Sequence, residues 1–158
     1  MVDVQRIESL ELPALAPYRT MRRQTEHRQE GIFVAESEKV VERLLESNFT
    51  VVSLLLPEKW FNRFEPLLAA RHEDITVYLM ERHKLEQLTG FTFYQGVLAV
   101  GKVPLPTPLP HLLKLAPHPR LFAAVEGITN AENLGGLVRN AVAFGVHGLL
   151  VDRTSASP

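Results

Sequence analysis

From Gly31 onward, the apolar positions of the 158-residue chain follow two alternating rhythms. Short runs rich in aliphatic residues give way to longer segments in which apolar side chains recur every three to four positions, and this alternation predicts an α/β layer structure. "GIFVA" reads as a strand, and Ser37 stands where it can cap a following helix that carries Val40, Val41, Leu44 and Leu45 on one face. Val51 to Leu56 predicts a strand apolar enough to be buried on both sides and ended by Pro57. Trp60, Phe61, Phe64, Leu67 and Leu68 then recur at helical offsets and predict a second helix with a bulky stripe against the sheet. "ITVYLM" reads as a third strand, "ERHKLEQLT" as a short helix closed by Gly90, and "QGVLAVG" as a fourth strand. Residues 1–103 thus predict one α/β domain.

The punctuation then changes. Six of the chain's 11 prolines fall between Pro104 and Pro119, and prolines at alternate positions continue neither a helix nor a central strand. Residues 104–119 therefore predict an extended linker, with one or two helical turns at "HLLKL". Beyond it, "RLFAAVEG" reads as a strand and Asn133 as the cap of a helix with Leu134, Leu137, Val138, Ala141 and Val142 on its apolar face. Gly145 stops that helix and "GLLV" is the next strand, so residues 120–158 predict a βαβ unit. Two parallel strands need covering on both faces, which this short segment does not itself supply. The expectation is the front portion of a longer protein.

Composition narrows the function classes. With 46% hydrophobic and 22% charged residues the chain is globular, and no apolar run approaches the roughly 20 residues that cross a bilayer. The absence of cysteine removes thiolate chemistry and disulfides and fits a cytoplasmic location. The six histidines are scattered without metal-ligand spacing and read as surface residues, so no metal is expected. Neither G-x-G-x-x-G, G-K-[ST], G-x-S-x-G nor H-E-x-x-H occurs, which argues against dinucleotide, kinase and hydrolase readings. A net charge of −1 argues against bulk coating of nucleic acid. One basic segment, "YRTMRRQTEHR", nevertheless sets Arg19, Arg22, Arg23 and Arg28 against Glu26 alone, and with Lys39 it is the candidate phosphate-contacting surface.

The segment "EGITNAENLGGLVRNAVAFGVHGLLV" puts polar groups into an otherwise apolar helix. Gly135 and Gly136 each cost about 1 kcal/mol of helix propensity relative to alanine, which close packing or a nearby ligand backbone would offset. Asn130 and Asn133 suit the turn before the helix, and Arg139 lies about 9 Å along the axis from Asn133. A buried arginine without an anionic partner is costly, so Arg139 is expected at an interface or ligand.

Asn130, Asn133, Gly135, Arg139, Ala141, Phe144 and Gly145 fit Asn-x-x-Asn-x-Gly-x-x-x-Arg-x-Ala-x-x-Phe-Gly. This resembles the first motif of the SpoU or TrmH family of RNA ribose 2′-O-methyltransferases, in the SPOUT superfamily. The family commonly has proline where this chain has Ala131. "YRTMRR", "GIFVAESEKVVERLL" and "YQGVLAVG" resemble its L30e-like substrate-binding module, which often has glycine where Ser37 stands. The resemblance implies methyl transfer from S-adenosylmethionine to a ribose 2′-hydroxyl of tRNA or rRNA, in a homodimer whose catalytic domain carries a trefoil knot. It implies that Arg139 acts at the 2′-hydroxyl, that Asn133 helps order the site, and that Asn130, Gly135 and Gly145 shape the motif. Its second and third motifs, which hold most of the cofactor pocket, would lie beyond Pro158. Residues 1–158 alone are therefore expected to be inactive, and the alternative is a non-catalytic RNA-binding module.

Overall fold

The computed structural model describes residues 1–90, 92 and 96–156, apart from the side chains at positions 24, 25 and 28. It divides into two units, Met1–Pro104 and Leu105–Pro158. In the first, β1 (Val2–Arg6), β2 (Ile32–Glu36), β3 (Val51–Leu56), β4 (Ile75–Leu79) and β5 (Leu98–Lys102) form one sheet in the order β1-β4-β3-β5-β2. β1, β4 and β3 are parallel, whereas β5 is antiparallel to both β3 and β2. Five helices accompany the sheet: α1 (Ala16–Arg19), α2 (Gln24–Glu30), α3 (Glu38–Glu46), α4 (Phe61–Ala69) and α5 (Arg82–Thr89).

Side chains alternate across a strand, so a sheet of apolar strands needs a cover on each face. Leu54, Leu56, Val77 and Leu79 pack with Val41 and Leu45 of α3 and with Phe64 and Leu68 of α4. Leu55, Tyr78, Leu98 and Val100 pack with Tyr18 of α1 and with Leu85 and Leu88 of α5. Two loops are tied by a single cation. The Arg71 guanidinium donates to the carbonyls of Leu45, Ser47 and Phe49 and to the Glu73 carboxylate, which also accepts from the Val51 amide. The hydrogen bonds from Arg71 hold the Glu73 carboxyl at about 2, below its ordinary 4.5.

Several expectations are corrected here. Ser37 occupies the cap position of α3, but its side chain makes no capping bond, and its φ of +85° lies where glycine is favoured. That backbone lets the Ser37 amide donate to the Val97 carbonyl while its own carbonyl receives the Val41 amide, which explains why a glycine suits this place. Val40 faces water, because the inward stripe of α3 runs through Val41, Leu44 and Leu45. Trp60 lies in a short 3-10 turn ahead of α4 and only partly packs on the core. β3 is not apolar on both sides throughout: its register shifts between Val51 and Ser53, Val52 is exposed, and the buried Ser53 hydroxyl pairs with the Tyr18 hydroxyl at 2.7 Å. Burial pushes the Tyr18 phenol far up, so that pair stays neutral. β1 was not anticipated, and of "QGVLAVG" the strand holds Leu98 onward, Gln95 lying outside the described residues.

Within the second unit, β6 (Phe122–Val125) and β7 (Gly148–Val151) are parallel, with Phe122 opposite Gly148 and α7 (Ala131–Ala143) between them in the chain. Ahead of them lies α6 (Leu109–Leu115), which holds the helical turns expected at "HLLKL" and begins two residues earlier, inside the proline-rich stretch. Pro108 is its cap and Pro110 falls in its first turn, where a missing N–H breaks no helical bond. A methyl group added at Gly148 would run into Leu112 of α6 and Phe122 of β6, so α6 packs directly against the strand pair. Of the apolar positions on α7, Leu134 is buried, Leu137 and Ala141 are half-buried, and Val138 and Val142 are exposed.

Candidate functional site

The loop between β6 and α7 is fixed from both ends. Asn130, not Asn133, is the cap of α7: its backbone is extended, and its side-chain oxygen accepts from the amides of Glu132 at 2.8 Å and Asn133 at 3.0 Å. Asn133 is thereby a residue of the helix's first turn, its amide held by Asn130 and its side chain exposed. At the other end, the turn after β7 reaches back. Asp152 accepts from the Gly127 amide at 3.1 Å, and the Ser155 hydroxyl accepts from the Ile128 amide at 3.0 Å while donating to Asp152. Thr154 donates to the second carboxylate oxygen through its amide at 3.0 Å and through its hydroxyl. Bonds from Ser155 and then Thr154 hold the Asp152 carboxyl well below the usual carboxylate range. Sequence reasoning missed this clasp, although "DRTS" carries the turn chemistry that a short acid followed by hydroxyl residues supports.

Arg139 lies on the exposed side of α7, and no hydrogen bond or ion pair among the described residues engages its guanidinium. It is a cation without a described partner on an exposed helix position, open to the interface or ligand expected for it. With Asn130 as the cap, Gly135 and Gly136 fall in the second turn of α7. A Cβ at either would meet nothing within 4 Å, so close packing inside this chain does not explain them. Gly145 follows the end of α7 with a φ of +70°, the left-handed conformation that ends a helix most cheaply with glycine.

The basic segment is less free than its composition suggests. Arg19 commits its guanidinium to the carbonyls of Leu10 and Leu12 at 2.8 and 3.0 Å. Arg23 pairs with Glu26 at 3.1 Å, both on the surface, where such a pair is weak and can be exchanged for a phosphate. Arg22 and Lys39 are exposed, and the Arg28 side chain lies outside the described residues. His27, expected on the surface, is buried instead: the Thr20 hydroxyl donates to the Ala16 carbonyl and so accepts from the His27 ring at 3.0 Å. His147 is likewise half-buried, its Nδ1 accepting from the Leu121 amide at 3.1 Å. No cluster of three metal-ligating side chains occurs among the described residues.

Residues 38–104 match the family described as RNA 2'-O ribose methyltransferase substrate binding. That segment of the chain is thus similar to the substrate-binding part of this methyltransferase family. Over 99% of its length it is 28% identical to an uncharacterized tRNA/rRNA methyltransferase of Mycobacterium tuberculosis, of which it covers 54%. Over 49% of its length it is 38% identical to a 23S rRNA (guanosine-2'-O-)-methyltransferase of Nitrosomonas europaea, of which it covers 30%. Among solved structures, an AdoMet-bound rRNA methyltransferase from Sinorhizobium meliloti has the same fold, with a TM-score of 0.76 at 19% identity over 98% of this chain and 57% of that one. The SpoU methyltransferase AviRb from Streptomyces viridochromogenes gives a TM-score of 0.70 at 20% identity over 92% of this chain and 54% of that one. The chain thus spans about half the length of the full-length relatives it matches. No helix among the described residues is long and apolar enough to cross a membrane.

Proposed function

We propose that these residues recognise RNA and position the methyl acceptor for an S-adenosylmethionine-dependent ribose 2′-O-methyltransferase acting on tRNA or rRNA in the cytoplasm. Met1–Pro104 is read as an L30e-like substrate-binding domain, and Leu105–Pro158 as the first part of a trefoil-knot domain that works as a homodimer. The observation that carries this reading is Arg139: a cation without a described partner, on a helix whose entry loop is locked by Asn130 and Asp152. Guanidinium keeps its proton at ordinary pH, so Arg139 is unsuited to be a general base. Its role is to hold an RNA phosphate and to stabilise the alkoxide forming at the 2′-oxygen. Asn133, one helical turn and more away, offers an exposed amide that can orient the ribose.

S-adenosylmethionine supplies the methyl group when bound. The guanidinium without a described partner and the exposed amides of this unit fit a ribose-phosphate rather than an adenosyl group. Residues 1–158 by themselves are expected neither to bind it at micromolar concentration nor to turn over, which isothermal titration checks. In the protein that joins these residues to the rest of the fold, Arg139→Ala should lower kcat by about 10²- to 10³-fold, the usual effect of removing one oxyanion-stabilising donor. An unchanged rate would remove the catalytic reading.

The second reading, an RNA-binding module without catalysis, is favoured by the placement of the basic segment in a unit with its own complete core. Gel shifts at two salt concentrations discriminate. Salt-sensitive binding weakened by Arg22→Ala and Arg23→Ala supports phosphate contacts, and no binding at low salt defeats both readings.

A further inference from the structure

β1, β4 and β3 all point their carboxyl ends at one cleft of about 480 Å³ within Met1–Pro104. In open α/β sheets such ends are where loops diverge and leave room for a ligand, and the volume lies in the range of small-molecule sites. The apolar part of its lining includes the half-buried Ile7 and the nearly buried Met80. Its walls carry four cations, Arg6, Lys59, Arg82 and Lys84, and three carboxylates. Most of these charges are already occupied. Arg6 pairs with Glu58 at 2.5 Å, Arg82 with Glu86 at 2.9 Å, Glu81 with His83 at 3.2 Å, and Lys59 rests over the Trp60 ring. Lys84 differs: it is half-buried in the first turn of α5, and no described residue engages its ammonium.

A mixed lining of this kind does not suit a bare anion, which the carboxylates would repel. It suits a molecule with one phosphate, one flat apolar face and several hydrogen-bond donors. We propose that the cleft takes a single unstacked nucleotide of the bound RNA, with its phosphate at Lys84, its base on Ile7 and Met80, and its ribose or amino donors at the carboxylates. Sequence-selective RNA recognition targets such splayed nucleotides, whose edges and faces a cleft can read. This inference rests on the RNA-binding reading above and adds a second contact region, apart from the arginines of "YRTMRRQTEHR".

The test is an NMR titration of the ¹⁵N-labelled 158-residue chain with a structured RNA, with 5′-AMP or 5′-UMP, and with inorganic phosphate. The RNA should shift the amide signals of Ile7, Met80 and Lys84. Lys84→Gln should weaken RNA affinity by about three- to tenfold, as loss of one charge-assisted phosphate contact does, and Lys59→Gln, at another lining position, should weaken it less. Mononucleotides at millimolar concentration should move the same signals, and phosphate alone should not. RNA that binds through Arg22 and Arg23 but leaves these signals and the Lys84→Gln affinity unchanged overturns the cleft while the RNA reading stands. Phosphate that reproduces the nucleotide shifts overturns the nucleotide assignment. RNA that binds nowhere at low salt overturns both.

Discussion

Both units are written in the same strand-and-helix grammar, yet they bury it very differently. In Met1–Pro104 the sheet has five strands and a cover on each face, and Phe64, Leu54 and Leu55 are fully buried. In Leu105–Pro158 a two-stranded sheet has α6 against it, and Val142 and Phe144 remain 73% and 79% exposed. Periodicity marks which side chains an element could bury; whether they are buried depends on the area that other elements bring to them. The first unit therefore carries its stability in side-chain packing. The second carries it in local hydrogen bonds around the β6–α7 loop.

Paired substitutions test that contrast most strongly. Phe64→Ala should cost about 3–5 kcal/mol in chemical denaturation, whereas Phe144→Ala should stay within about 0.5 kcal/mol. Equal losses at the two positions would mean that Phe144 is buried in solution. Arg71→Ala should be next, at about 2–3 kcal/mol, because it leaves the carbonyls of Leu45, Ser47 and Phe49 and the Glu73 carboxylate without their shared donor. In the second unit, Asn130→Ala should cost about 1 kcal/mol and Asn130→Gly only a few tenths, read as faster hydrogen exchange at the start of α7. Gly135→Ala and Gly136→Ala should each raise stability by about 0.5–1 kcal/mol, because both positions are helical and open. If the same changes weaken RNA binding or methyl transfer, the glycines are kept for a close approach from outside this chain.

The mildest probe is acid. The Glu73 carboxyl is held at about 2 against an ordinary 4.5, so its contribution is complete above pH 4.5 and is lost as pH falls toward 2. Glu73→Gln should flatten the stability of the first unit across that window.

Much of this architecture was legible in the residues. β3 and β4 show as apolar runs closed by proline or acid, and α5 ends at Gly90 as its spacing predicts. β1 was not legible because "VDVQR" buries almost nothing and takes its order from β4 beside it. Of α6 the turns at "HLLKL" were legible, but its start was not, because Pro108 and Pro110 read as breakers although they stand where a helix starts. Asn130 and Asn133 are three residues apart and chemically identical. Only the extended backbone at Asn130 decides which of them caps. The clasp of Asp152 and Ser155 on Gly127 and Ile128 joins residues more than 20 positions apart, which no local pattern announces.

β1 occupies the rim of its sheet, with Asp3, Gln5 and Arg6 all facing solvent and Gln5 bonded to Asp3. A foreign strand arriving at that rim would have to strip water from a negative and a positive group within four residues before gaining any backbone bond. The flank is thus chemically insulated against fibre-like stacking of copies, and crowded solutions of the first unit should stay clear on that account.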